Sequence, residues 1–135
     1  NYYVSVFPDS KVLNVSRHDG KVLTGSFQLA GQEFMALNGG PQFKFTEAIS
    51  LAISCKDQDE VDYYWEKLTD GGQEVQCGWL KDRYGLSWQV VPGGMEEVFA
   101  DPDPERAARA MQAMLGMVKI ESDELRRAYE EPVGV

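Results

Sequence analysis

The chain has 135 residues, 43% of them hydrophobic and 26% charged, with a net charge of −9. That is about one domain's worth of chain, long enough to bury a core without disulfide or metal staples. The acidic balance repels phosphate backbones and anionic membranes, so nucleic acid and membrane surfaces are not expected partners; a well-solvated surface is its plainest meaning.

Cys55 and Cys77 are the two cysteines. They offer neither a disulfide framework nor zinc-ligand spacing. Both fall in apolar, strand-like runs and read as buried reduced thiols. No apolar run reaches the roughly 18 residues of a membrane span, and no signal peptide is visible, so a cytoplasmic home is expected.

In chain order, Tyr3, Val4 and Phe7 have the spacing of a last helical turn, stopped by Pro8-Asp9. Residues 11–17 read as a strand with Leu13 and Val15 on one face. His18-Asp19-Gly20 is a hairpin signal, because Asp-Gly supplies the positive φ of a tight turn. Residues 21–30 alternate, with Leu23, Phe27 and Leu29 on one side. Gly31 turns the chain into a third strand, 33–38, which Gly39-Gly40-Pro41 breaks. After a linker at 42–47 comes a strand at 48–55, whose continuous apolar character predicts burial on both faces.

Asp57 and Glu60 form a capping-box pair for a helix whose buried stripe is Val61, Tyr64, Trp65 and Leu68, ended by Gly71-Gly72. Residues 74–80 read as one strand, with Val75, Cys77 and Trp79 on a shared face. A turn at Asp82-Arg83-Tyr84-Gly85 leads to a strand at 86–91, stopped by Pro92-Gly93-Gly94. Asp103-Pro104-Glu105 starts a helix. Its apolar stripe is Ala107, Met111, Met114, Leu115 and Val118, and Glu105 and Arg109 are spaced as an outward ion pair. A last helix is expected at 122–130.

The order is a helix end followed by three strands, then β-α-β-β, then helices. Tyr3-Val4-Ser5-Val6-Phe7-Pro8-Asp9-Ser10-Lys11, Phe34-Met35-Ala36-Leu37-Asn38-Gly39-Gly40-Pro41, Cys77-Gly78-Trp79-Leu80-Lys81-Asp82-Arg83-Tyr84-Gly85-Leu86-Ser87-Trp88-Gln89 and the Met-rich tail 111–120 carry a resemblance. With this order they resemble the PhnB-like branch of the vicinal-oxygen-chelate (glyoxalase/bleomycin-resistance/dihydroxybiphenyl dioxygenase) superfamily. Proteins of this kind have often carried the name 3-demethylubiquinone-9 3-methyltransferase.

The resemblance implies an α+β fold of paired βαβββ modules forming a cup-shaped mixed sheet around a small-molecule pocket, with C-terminal helices and a homodimer. It divides one domain, 1–135, into a first module at 1–41, a second at 42–94 and helices at 95–135. The family's opening strand and most of its first helix are absent from this sequence, and the hairpin after Arg17 is shorter than is usual in the branch.

Metal-using members of the superfamily carry His, Gln or Glu on inner strand faces. The resemblance puts Gln89 where they carry Glu, Ser50 where they carry His, and Met35 or Leu37 at a third position. A divalent ion needs several charged or imidazole ligands to offset its dehydration, so no metal and no other cofactor is expected. His18, the only histidine, is expected to be a solvated turn residue.

The expected ligand pocket is Met35, Ser50, Trp79 and Gln89, with Trp79 either lining it or filling the core. Strand alternation puts Ser87, Gln89 and Val91 on one face and Trp88 on the other. Asp82 and Arg83 are expected to be a surface ion pair, and the tail methionines to be core or dimer contacts. With one histidine there is no Ser-His-Asp or Cys-His nucleophile to assign, so no catalytic residue is named. Gly71-Gly72 and Gly93-Gly94 lack the pattern of an S-adenosylmethionine site in a doubly wound sheet. The expectation is a metal-free small-molecule binding protein. The alternatives are a metal-dependent isomerase, lyase or dioxygenase of the same superfamily, and the named methyltransferase. The residues decide neither for nor against an enzyme.

Overall fold

The computed structural model of the protein describes residues 1–130; the last part of the expected C-terminal segment, 131–135, lies outside the described residues. The fold is mixed α+β, with an antiparallel sheet, a mixed sheet and several helices. The chain forms two compact units, Asn1–Lys44 and the residues from Phe45 onward.

The first unit is a short helix, α1 (Tyr2–Val6), and a meander of β1 (Lys11–His18), β2 (Lys21–Leu29) and β3 (Gln32–Leu37). Both hairpins turn through pairs of residues with positive φ, Asp19-Gly20 and Ala30-Gly31, the geometry whose twist matches paired strands. Tyr3 stacks on Phe27 and Phe27 on Phe34, with ring centroids 6.4 and 5.8 Å apart. Val6, Phe7 and Leu29 are buried, whereas every residue of β1 is exposed. The register of β1 against β2 shifts between Val12 and Asn14 and again between Ser16 and Arg17. These irregularities undo the simple alternation expected of Leu13 and Val15, because a bulge re-aims the side chains that follow it.

The second unit begins with a β-α-β-β-β order: β4 (Ser50–Cys55), α2 (Gln58–Thr69), β5 (Gln73–Glu74), β6 (Trp79–Lys81) and β7 (Ser87–Pro92). The sheet order is β4-β7-β6-β5, with β4 parallel to β7 and the other pairs antiparallel. Asp57 caps α2 by accepting from the Glu60 N–H at 2.9 Å. Val61, Tyr64, Trp65 and Leu68 are all buried, as their spacing predicts. Each such side chain contributes on the order of 1.5–3 kcal/mol when taken from water. Leu80, Trp88 and Val90 of the sheet are buried with them.

Three details of this unit differ from the sequence expectation. β4 alternates, with Cys55 buried, Leu51 and Ile53 half-buried, and Ala52 and Ser54 exposed; among the described residues it pairs with β7 alone and forms the sheet edge. The strand expected at 74–80 is instead a tight hairpin, since Gln73 pairs with Lys81 and Glu74 with Leu80. Cys77 and Gly78 both have positive φ there, and the Trp79 N–H donates to the Gln76 carbonyl at 3.0 Å. Cys77 is therefore a half-exposed turn residue rather than a buried strand thiol. Asp82 is buried rather than part of a surface pair. Its carboxylate accepts from the Tyr84 and Leu86 N–H groups and from the Trp88 indole N–H, while Arg83 reaches Asp70.

Three helices follow: α3 (Met95–Phe99), α4 (Pro104–Leu115) and α5 (Ser122–Glu130). Asp103 caps α4 and Pro104 opens it. The buried cluster is Ala110, Met117, Ile120 and Leu125, with Met95, Val98, Phe99, Met114 and Tyr129 packed around it. Met111, Leu115 and Val118 are exposed, so the buried side of α4 is rotated from the expected stripe. Packing is centred on Ala110, whose small side chain lets neighbouring elements approach. Arg109 donates to the Ala128 and Tyr129 carbonyls at the end of α5, rather than serving as an outward partner for Glu105.

The tail is fastened to the sheet by backbone bonds. The Cys77 and Gly78 N–H groups donate to the Met117 and Val118 carbonyls, both at 2.8 Å. Gly78 is required there: its φ is +83°, and a Cβ would meet the Ile120 Cδ1 at 2.7 Å. A side-chain clasp lies nearby, where Gln58 donates to the Ile120 carbonyl and accepts from the Ser122 N–H.

Candidate functional site

The site is built on the sheet face that carries Ser87, Gln89 and Val91. Trp88 and Val90 point the other way and belong to the buried core. Trp79 of β6 is the register partner of Gln89, which sets an indole beside an amide. Parallel pairing of β4 with β7 brings Ser50 alongside, and the Gln89 Nε2 donates to the Ser50 Oγ at 2.8 Å. Ser87 shares this face; its Oγ is buried without a hydrogen-bond partner, with the residue only 1% exposed.

Trp79, Gln89 and Val91 form the floor of a cavity of about 530 Å³. Its roof is Met95 and Phe99 of α3, Met114 of α4, and Ile120. Cys77, Glu96 and Ala100 complete the lining among the described residues. A concavity of this size, mostly apolar with a few polar groups, is what small-molecule sites look like. Among the described residues Glu96 is the sole charged side chain of the lining.

Three of the four expected pocket residues, Ser50, Trp79 and Gln89, come together: two line the cavity and Ser50 holds the amide. Met35 lies on β3 of the first unit, opposite Ser26, and is 78% exposed. Sequence reasoning missed Met95, Glu96 and Phe99, because α3 is short and has no side-chain cap. The one available signal was the helical spacing of Met95 and Phe99 directly after Gly93-Gly94.

A larger concavity, about 720 Å³, lies in the first unit around His18, Lys21, Leu37 and Asn38. It is a broad depression at a hairpin end, and His18 there faces Asp19 at 3.5 Å, as befits a solvated turn residue.

A hydrogen bond from Lys81 holds the Glu47 carboxyl below its ordinary range. Burial, reinforced by Glu60 and Asp57, pushes the Cys55 thiol up to about 11, which disfavours its thiolate form. Among the described residues no group of three or more His, Cys, Asp or Glu side chains is placed to hold a metal ion. No helix among them is long and apolar enough to cross a membrane.

Comparison with known proteins adds kinship. The family model described as 3-demethylubiquinone-9 3-methyltransferase matches residues 1–91. A solved structure from Bacillus cereus, a putative 3-demethylubiquinone-9 3-methyltransferase and PhnB protein, is 33% identical over 68% of this chain and 86% of its own, with a TM-score of 0.64. A protein from Staphylococcus aureus is 27% identical over 65% and 78% of the two chains, with a TM-score of 0.29. A glyoxylase/bleomycin resistance protein/dioxygenase domain from Frankia is 20% identical over 68% and 84%, with a TM-score of 0.47. No curated protein matches the chain.

Proposed function

The chain belongs to the 3-demethylubiquinone-9 3-methyltransferase family of PhnB-type proteins, and from that premise we propose that it is a binding protein for a small, largely apolar molecule. The ligand occupies the cavity of the second unit, without a metal ion. The observation that carries this reading is the pairing of Trp79 and Gln89 under an apolar roof. The indole offers a flat apolar surface, and the amide offers a fixed polar contact that Ser50 orients.

A metal fits the site poorly. Ser50 and Gln89 present a neutral hydroxyl and an amide already bonded to each other, with neither the charge nor the imidazole that would offset an ion's dehydration. Elemental analysis of the purified protein is expected to find no stoichiometric zinc, iron, manganese or nickel. One equivalent of any of them would overturn the metal-free reading in favour of a metal-dependent isomerase, lyase or dioxygenase.

Methyl transfer, which the family description names, has little support in the site. Gly71 ends α2 and Gly94 precedes α3, so neither glycine pair forms the phosphate-type turn between a first strand and a helix. Calorimetric titration with S-adenosylmethionine is expected to show no saturable binding.

The same reading makes the protein a homodimer in the cytoplasm. Exposed Val12, Leu13, Val15, Leu23 and Leu37 of the first unit support a second copy as their cover, and the free thiols Cys55 and Cys77 suit a reducing compartment. A stable monomer by light scattering would contradict the dimer.

A further inference from the structure

The charge of the cavity lining points to the class of molecule it takes, an inference that rests on the cavity being the ligand site. Among the described residues no lysine, arginine or histidine lines it, and the carboxylate of Glu96 does. A carboxylate ligand would therefore lose its hydration without gaining a counter-ion, and would face Glu96 as a like charge. A cation meets the opposite conditions. Trp79 and Phe99 offer π-faces, which attract ammonium groups, and Met95 and Met114 offer polarisable thioethers. The polar floor is compatible with them: one Gln89 N–H is engaged by Ser50, and the amide also carries a carbonyl oxygen that can accept from a ligand N–H. The net charge of −9 favours the approach of a cation to the molecule as a whole.

We propose that the cavity selects a protonated amine carried on a flat apolar body, with Glu96 as its counter-ion and the Gln89 carbonyl as its acceptor, and that it discriminates against carboxylates. The carboxylate that sets this preference sits on α3, a roof element, while the acceptor sits on the floor.

Three naphthalene probes of matched shape test the proposal by calorimetry at pH 7 on the full chain: 2-naphthylmethylamine, 2-naphthalenemethanol and 2-naphthoic acid. The amine is expected to bind at least about tenfold more tightly than the acid, the sum of an exposed ion pair and a cation–π contact. Glu96→Gln should collapse that ratio toward one and Glu96→Lys should invert it. Glu66→Gln, the same charge change on the exposed side of α2, should leave it in place. Circular dichroism and a thermal melt check that each variant is folded. Equal binding of the three probes, or a ratio that Glu96→Gln does not move, overturns the charge selection while the cavity stands as a binding site. Failure of all three probes to bind overturns the cavity reading itself.

Discussion

The two units of the chain use similar residues and reach opposite results. In the second, α2 lies across its sheet, and Val61, Leu68, Leu80 and Val90 lose all contact with water. In the first, an eight-residue strand rich in valine and leucine stays exposed along its whole length, and only Val6, Phe7 and Leu29 are buried. Alternating sequence and tight turns suffice to make strands. Cover from another layer is what turns strands into a core.

Substitution should expose that difference most sharply at leucine. Leu80→Ala is expected to cost about 3–5 kcal/mol in a urea melt, because Leu80 is 0% exposed and leaves a cavity. Leu13→Ala, in the exposed strand, should cost under about 0.5 kcal/mol in the dilute monomer. Its effect should grow with protein concentration if a second copy covers the meander. A larger cost for Leu13→Ala than for Leu80→Ala at low concentration would break the comparison.

The residues that pack α2 were legible because capping and periodicity are local: Asp57 and Glu60 mark its start, and four apolar side chains mark its face. Gln89 beside Trp79 was legible in part, since alternation fixes which residues share a face but not which strands are neighbours. The break at Cys77-Gly78 was hidden, because Val75, Cys77 and Trp79 mimic alternation while the backbone turns between them. Asp82 looked solvated because a turn carboxylate usually is; its partners, above all the Trp88 indole, appear only when the hairpin closes. The rotation of α4 depends on α3 and α5, and α3 has no cap to announce it.

That hidden turn supplies the next prediction. Gly78→Ala should destabilise the second unit by about 2–3 kcal/mol, through a positive φ and a Cβ forced against Ile120. It should loosen α4 and α5 more than α2, which hydrogen exchange would register as faster exchange after residue 94. Uniform exchange throughout the unit would show that the tail does not depend on this joint.

A smaller effect than that of Gly78 concerns the clasp between α2 and the tail. Lys119 lies 2.7 Å from Asp62. The bond from Lys119, with a second from Gln58, holds the Asp62 carboxyl below its ordinary 3.8, and the bond to Asp62 holds Lys119 above its ordinary 10.5. The stabilisation is therefore complete between those two ordinary values. It is lost as pH falls through the lowered value of Asp62, and again as pH rises through the raised value of Lys119. Both groups are partly exposed, so screening holds the contribution to under about 1 kcal/mol. Lys119→Met should lower stability by that amount at neutral pH and should make no difference in acid strong enough to protonate Asp62. An equal loss at both pH values would assign the effect to packing of the lysine stem.

The floor of the cavity ends in β7 and the roof begins at α3, and the match to the family model ends at residue 91, within β7. The match thus takes in the platform and stops before the elements that lie over it. On the proposed reading, mutation in the roof would retune the ligand preference while the sheet beneath stays intact. Relatives with the same platform and a different tail need not share a ligand, so function should be transferred among them by comparing roofs rather than floors.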